Sequence, residues 1–232
     1  MLFDEAIKTV APHVLRIGVL SGCFLTVLPL WSQRDSTGSR TAFQFGFFVG
    51  ADYCMLAPWQ RTADQTPPTY RDSISSVATV PEPGFSFGLL YERSIRKDLS
   101  LRVLPTFSFL AGSMDYHYSD GTVERVSLER TEIGLTVQPL YCATVRGKVR
   151  PYMALGASVG YCPDKDSSLE RIAFRLDFGG GVRFPFAGAQ CGVELRAGKS
   201  LNDLLVRQGT PYTEVLERLE WNVFSLRIVF QR

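Results

Sequence analysis

A few short stretches of the sequence have residue types that could do chemistry. Gly198-Lys199-Ser200 ends like a phosphate-binding loop, but the position five residues before Gly198 is Val193 rather than glycine, so the loop cannot close around a phosphate. Asp177-Phe178-Gly179 spells a metal-binding tripeptide of kinases without the catalytic loop or the glycine-rich nucleotide loop that must accompany it. Gly179-Gly180-Gly181 could cradle an anion, though three glycines in a strand more often mark a thin stretch of wall. Asp115-Tyr116-His117-Tyr118-Ser119-Asp120 gathers an acid, an imidazole and a hydroxyl, but crowding in a loop is not a triad. Glu194 and Arg196 stand two apart, the spacing that puts both on one face of a strand.

The elements that must position these groups are strands. The chain has 232 residues, 45% apolar and 21% charged, with 20 glycines, 16 phenylalanines and 9 tyrosines, a composition that favours strands and turns. A net charge of +2 argues against a polyanion-gathering surface, so no nucleic-acid partner is expected, and two histidines, His13 and His117, argue against a histidine-rich metal site. No helical period is sustained. Period two recurs eight times. From Phe43 the odd positions read Phe43, Phe45, Phe47, Val49, Ala51, Tyr53 and Met55, and the interleaved positions are small or polar. Equivalent stripes run through Phe85–Tyr91, Leu99–Ala111, Thr131–Ala143, Val149–Tyr161, Ile172–Phe184, Ala189–Ala197 and Asn222–Phe230.

No residue on the apolar face of these eight segments is charged. The other face carries Asp52, Glu92, Arg102, Glu132, Arg150, Arg175, Asp177, Arg183, Glu194, Arg196 and Arg227. A soluble barrel would bury the apolar stripe. Three features favour the opposite orientation. The stripes are rich in Phe, with Tyr53, Tyr91, Tyr141 and Tyr161 near strand ends, as in an aromatic girdle. The strand number is even. The connections alternate, long or medium at 57–84, 112–130, 162–171 and 198–221 and short at 94–98, 145–148 and 185–188. The expected fold is all-β, an eight-stranded antiparallel up-and-down transmembrane barrel, with long extracellular loops, short periplasmic turns and both termini periplasmic.

In hydrocarbon every backbone polar group must be paired, and a closed barrel has no edge. Eight strands leave an interior filled by side chains. The eleven charges are therefore expected inside as a structural network of ion pairs, with glycines making room. Loss of one charge, such as Arg102, is expected to be partly compensated by its neighbours, and a charge-balanced swap of Glu194 with Arg196 to be tolerated better than shortening of the long loops. No catalytic, cofactor-binding or metal site is expected, no small-molecule substrate is predicted, and the chain is not expected to be an enzyme.

The first 32 residues read as a secretory signal peptide, with Arg16 followed by the apolar run Ile17–Trp31 and a polar turn at Ser32. Leu20-Ser21-Gly22-Cys23 also looks like a lipoprotein box, but apolar residues continue beyond Cys23. Residues 33–40 form a short lead-in and 41–232 the barrel. Cys54, Cys142, Cys162 and Cys191 lie on separate strands or loops and are expected to be free thiols.

Several segments resemble a known family. Phe45-Gly46-Phe47-Phe48-Val49-Gly50, Gly84-Phe85-Ser86-Phe87-Gly88-Leu89, Arg150-Pro151-Tyr152 with Gly156, and Asp177-Phe178-Gly179-Gly180-Gly181 are similar to the PorT-like eight-stranded outer-membrane barrels. Leu99-Ser100-Leu101-Arg102 and Pro105-Thr106-Phe107-Ser108-Phe109 resemble the branch that serves the Bacteroidota type IX secretion system. The resemblance implies an outer-membrane accessory or assembly component of type IX protein secretion, needed to export proteins with a C-terminal signal. Its partners would be outer-membrane lipid and other type IX components. The alternative is a general PorT-like barrel with an adhesion or envelope-structural role.

Overall fold

A computed structural model describes residues 43–61, 74–143, 148–164, 169–207 and 211–232. The signal peptide and lead-in lie outside the described residues. Eight strands follow in order: β1 Phe43–Gln60, β2 Ile74–Ser94, β3 Leu99–Tyr118, β4 Val123–Cys142, β5 Arg150–Tyr161, β6 Ile172–Phe186, β7 Ala189–Ser200 and β8 Leu216–Gln231. One short helix, α1 (Pro211–Glu214), precedes β8. Each strand pairs antiparallel with the next, and β1 closes on β8 from Gly46↔Gln231 through Met55↔Asn222. The result is an up-and-down barrel without an open seam.

The alternation dictates which side faces which medium. Phe45, Val49, Phe85, Ile133, Leu155, Phe174, Leu195 and Phe224 all point outward and are exposed, Leu195 the most at 66%. The interleaved Asp52, Glu92, Arg102, Glu132, Asp177, Glu194 and Arg227 point inward and are buried, Arg102 completely. Rings stack along the outer wall, as in Phe85 on Phe109 (4.5 Å between centroids) and Phe47 on Phe230 (5.1 Å). Large apolar side chains bared on every strand are what hydrocarbon solvates and water does not. The barrel is therefore of the transmembrane type. The four cysteines among the described residues, Cys54, Cys142, Cys162 and Cys191, are free.

The connections differ from expectation on the long side. Residues 57–60 continue β1, and β2 begins at Ile74, so most of the segment 57–84 is strand. Pro81 and Pro83 suggest a loop. They are accommodated where the β2–β3 register shifts, between Pro81 and Phe85, a place where ladder hydrogen bonds are already lost. The segment 112–130 is a hairpin, with β3 and β4 paired out to His117↔Val123 around Gly121 (φ 87°). On the short side, β6 and β7 are joined by Ala187 (φ 48°) and Gly188 (φ 80°), the left-handed pair that a two-residue hairpin needs.

Candidate functional site

The inward row of the barrel is the concentration of polar chemistry, and its charges fall into two linked groups. Nearer the short turns, Glu92 accepts from three guanidinium nitrogens: Arg102 Nε at 3.2 Å, and Arg183 Nη1 and Nη2 at 3.0 and 2.8 Å. Arg102 Nη1 donates to Glu194 Oε2 at 2.7 Å, and Tyr152 Oη donates to the same oxygen at 2.8 Å. The Tyr152 ring lies 5.3 Å from the Arg102 guanidinium and 4.5 Å from that of Arg183, so both cations rest on its π face. Gly181 makes this possible, since a Cβ there would stand 2.9 Å from the Tyr152 hydroxyl.

Further up the lumen, Glu132 accepts from Arg130 Nε at 3.0 Å and from both terminal nitrogens of Arg175. Arg130 spends its other donors on the backbone carbonyls of Glu170 (2.6 Å) and Arg171 (3.0 Å). Gly160 lies across from the Glu132 carboxylate, which occupies the place a Cβ would take. Arg196 pairs with Asp177 at 2.7 Å and donates to Thr136 Oγ1 at 3.1 Å. Arg227 and Asp52 form no ion pair among the described residues. Arg227 lies 4.5 Å over the Phe48 ring, and both side chains line a cavity of about 30 Å³, room for about two waters.

The structure thus draws Glu92, Arg102, Arg183 and Glu194 together, joins Glu132 to Arg175 and Asp177 to Arg196, and leaves Asp52 and Arg227 facing the cavity. Arg150 departs from the sequence reading. It belongs to the inward row by parity, but as the first residue of β5 it is exposed at the barrel end and stands outside the network. Glu194 and Arg196 share a face without sharing an ion-pair partner, since Glu194 meets Arg102 and Arg196 meets Asp177.

Sequence reasoning missed Arg130 and Tyr152. Arg130 lies in the connection 112–130 of the sequence reading, yet it stands two before Glu132, so carrying the alternation of that strand one step further finds it. Tyr152 was seen only as part of a Pro-Tyr pattern; its place opposite Gly181 follows from strand pairing (Tyr152↔Gly181).

The mouth at the long-loop end is closed differently. Leu56, Leu110, Met114, Tyr116, Leu204, Leu216, Leu219 and Trp221 are buried together there. The segment after β7 crosses over them and is pinned by its own side chains. Asn202 accepts from Phe174 N and donates to Ile172 O, both at 2.8 Å; Asp203 accepts from Leu205 N and Leu219 N at 3.0 and 2.9 Å. Tyr116 Oη donates to Tyr212 O at 3.2 Å. This apolar lid was not foreseen, because the segment 198–221 was read only as a long loop.

The cluster around His117 makes hairpin bonds and no triad. Both Asp115 oxygens accept from Arg125, at 2.7 and 2.8 Å, and that bonding holds the carboxyl below its usual range. Asp120 Oδ1 accepts from Thr122 N and Oγ1, and its carboxyl is likewise lowered. No group of three or more potential metal ligands occurs among the described residues.

No protein-family model matches the chain, and no curated protein matches it. Among solved structures it is similar to the outer membrane protein OprG from Pseudomonas aeruginosa, at 11% identity over 84% of this chain and 98% of that one (TM-score 0.45). It is also similar to the attachment invasion locus protein Ail of Yersinia pestis, at 13% identity over 82% and 98% (TM-score 0.39), and to Neisserial surface protein A, at 13% over 79% and 95% (TM-score 0.39).

Proposed function

We propose that this chain is an outer-membrane barrel with a sealed lumen that works through its surfaces, in an adhesive or envelope-structural role. The observation that carries the reading is the polarity of the wall. The apolar row faces outward on all eight strands, and the charged row is folded into mutual ion pairs inside. A pore needs a wet passage, whereas opening this one would strand several buried charges, each costly to leave unpaired. In this reading the long loops and the β3–β4 hairpin face the exterior, and the short turns and both termini face the periplasm.

A second reading, an accessory of type IX secretion, is supported by the resemblance of Leu99–Arg102 and Pro105–Phe109 to that branch. Those residues also have barrel duties that any sealed barrel would impose. Arg102 is the hub of the lumenal network, and Phe107 and Phe109 belong to the outer aromatic wall. The resemblance is thus accounted for without secretion, which ranks the general reading first.

Deleting the gene in its native host separates the two. Weakened envelope integrity or surface attachment, with normal export of proteins bearing a C-terminal signal, is the expected result. Cargo accumulating unprocessed inside the cell would favour the secretion role. Large single-channel conductance from the purified barrel in planar bilayers would end the sealed-lumen reading.

A further inference from the structure

The end of the barrel that bears the short turns has a chemistry of its own. Arg93, Arg96, Lys97, Lys148 and Arg150 are all exposed there, against the half-buried Asp98 among the described residues. Each short connection also bares one apolar side chain: Ile95 (58%) in the first, Val149 (50%) in the second and Phe186 (59%) at the third. Ile95 N and Arg96 N both donate to Leu99 O at 2.9 Å, so the first turn is held tightly and presents its side chains in a fixed direction. Arg93 lies on the outward row, its guanidinium 5.2 Å from the centre of the Phe43 ring, so it marks where the apolar belt ends. The opposite end carries the reverse sign. The hairpin 115–129 holds Asp115, Asp120, Glu124 and Glu129 against Arg125.

Basic groups interleaved with single apolar side chains, directly below an apolar belt, match one environment. Phosphates of anionic phospholipids complement the guanidinium and ammonium groups, and the interfacial layer takes up single apolar side chains such as Ile95, Val149 and Phe186. An acidic protein surface would complement the charges but leave the three apolar tips without a shared depth to enter. We infer that the short-turn rim is a binding surface for anionic phospholipid headgroups of its own leaflet, with Arg96, Lys97, Lys148 and Arg150 as the phosphate contacts. This rests on the transmembrane reading of the barrel.

The test is lipid selectivity of the folded barrel in phosphatidylcholine vesicles, read by electron spin resonance of spin-labelled phosphatidylglycerol against spin-labelled phosphatidylcholine. Wild type should hold the anionic label in preference by about fivefold, the equivalent of one basic residue at a charged surface. The preference should fall with added salt. It should drop towards unity when Arg96, Lys97, Lys148 and Arg150 are all changed to Gln, and by part of that in Arg96→Gln with Lys97→Gln. Lys199→Gln, at the other end of the wall, should leave it unchanged. Equal retention of the two labels by wild type, or a preference that follows Lys199 rather than the four rim residues, overturns the inference. So does binding of isolated cell-wall sacculi that is lost in the four-residue variant while lipid selectivity stays at unity. Flotation with neutral vesicles keeps the two readings apart. A barrel that fails to float refutes the transmembrane assignment, whereas one that floats without selectivity refutes only the rim.

Discussion

Strand β3 reverses its polarity halfway along. In its lower half Leu101, Val103, Pro105, Phe107 and Phe109 face out, while Arg102 and Ser108 face in. In its upper half Asp115 and His117 face out, while Leu110, Met114 and Tyr116 are buried. Strand β8 does the same, with Phe224, Leu226 and Ile228 outside Ser225 and Arg227, but Trp221 and Val223 inside at the upper end. The lower barrel is built for hydrocarbon and the upper for water. The boundary shows that the medium decides which row of a strand is apolar, since the β3–β4 ladder runs through it without a break while β2 shifts register there. The two regions also keep shape by different means. Below, directional ion pairs share the lumen with small apolar clusters such as Phe48, Leu90, Leu104 and Val229; above, an apolar core under a pinned segment fills it alone.

The sharpest break in the lower region is the double change Glu194→Arg with Arg196→Glu. Net charge is conserved, but the new arginine would face Arg102 and the new glutamate would face Asp177. Removing one partner of a buried pair costs about 3–5 kcal/mol, and this exchange replaces two attractions by two repulsions. No folded, heat-modifiable band on gel electrophoresis is expected. Recovery of wild-type folding would mean that the lumen is wet enough to screen such contacts.

Arg102→Met is the next largest. It leaves Glu194 without its ion-pair partner and Glu92 with Arg183 alone. About 3–5 kcal/mol of stability should be lost, measured by urea unfolding in lipid vesicles. Compensation by neighbours would have to come from Arg183 or Arg196, which are already paired with Glu92 and Asp177.

These two cases show how much of the fold and the site the sequence carries. Strand number, closure and the facing of each row follow from period-two alternation, because in a barrel a residue's parity fixes its side of the wall. Inwardness of Glu194 and Arg196 was legible for the same reason. The pairs between neighbouring strands, Glu92 with Arg102 and Asp177 with Arg196, follow from register, but the pairs that cross the lumen, such as Arg102 on β3 with Glu194 on β7, were not legible. That depends on how the lumen is crossed, which no local pattern states. The upper region was less legible still. There the apolar residues of 201–221 bury themselves against the mouth with no strand period to announce it, and β2 carries prolines that read as a loop.

Phe107→Arg tests the outer face of the lower region. An arginine facing lipid near the midplane costs about 2–4 kcal/mol, so folding yield in vesicles should fall, though less than for Arg102→Met. In detergent, which lets the guanidinium reach water, much of the loss should be recovered. An equal loss in both media would show that Phe107 matters for packing against Phe87 and Phe109 rather than for contact with hydrocarbon.

Tyr116→Phe probes the upper region alone. It keeps the ring against Tyr212 (5.0 Å between centroids) and removes the hydroxyl that donates to Tyr212 O. A loss of about 0.5–1.5 kcal/mol is expected, seen as faster hydrogen exchange in the segment 211–219 with the amides of the lower barrel unaffected. Spread of the effect into β3 below Phe107 would mean the two regions unfold as one unit.

The smallest effect separates the regions by pH. Asp115 is half-buried and bonded at both oxygens to the exposed Arg125, and its folded carboxyl titrates below its unfolded value because of that bonding. A group lowered in this way adds stability above its unfolded pKa and loses it as pH falls through the folded one. Acidification should therefore loosen the β3–β4 hairpin before it reaches the lumenal network, whose carboxylates are buried among arginines. Solvent screens a pair whose arginine is exposed, so the overall melting temperature should not move measurably. The change should appear as faster exchange at the amides of residues 113–127 when pH drops from neutral to acid. Asp115→Asn should show that faster exchange already at neutral pH and lose most of the pH dependence. Persistence of the full pH dependence in the variant would place the acid response on Glu124 or Asp120 instead, and melting of the whole barrel over the same interval would mean that the lumen, not the hairpin, is the acid-sensitive part.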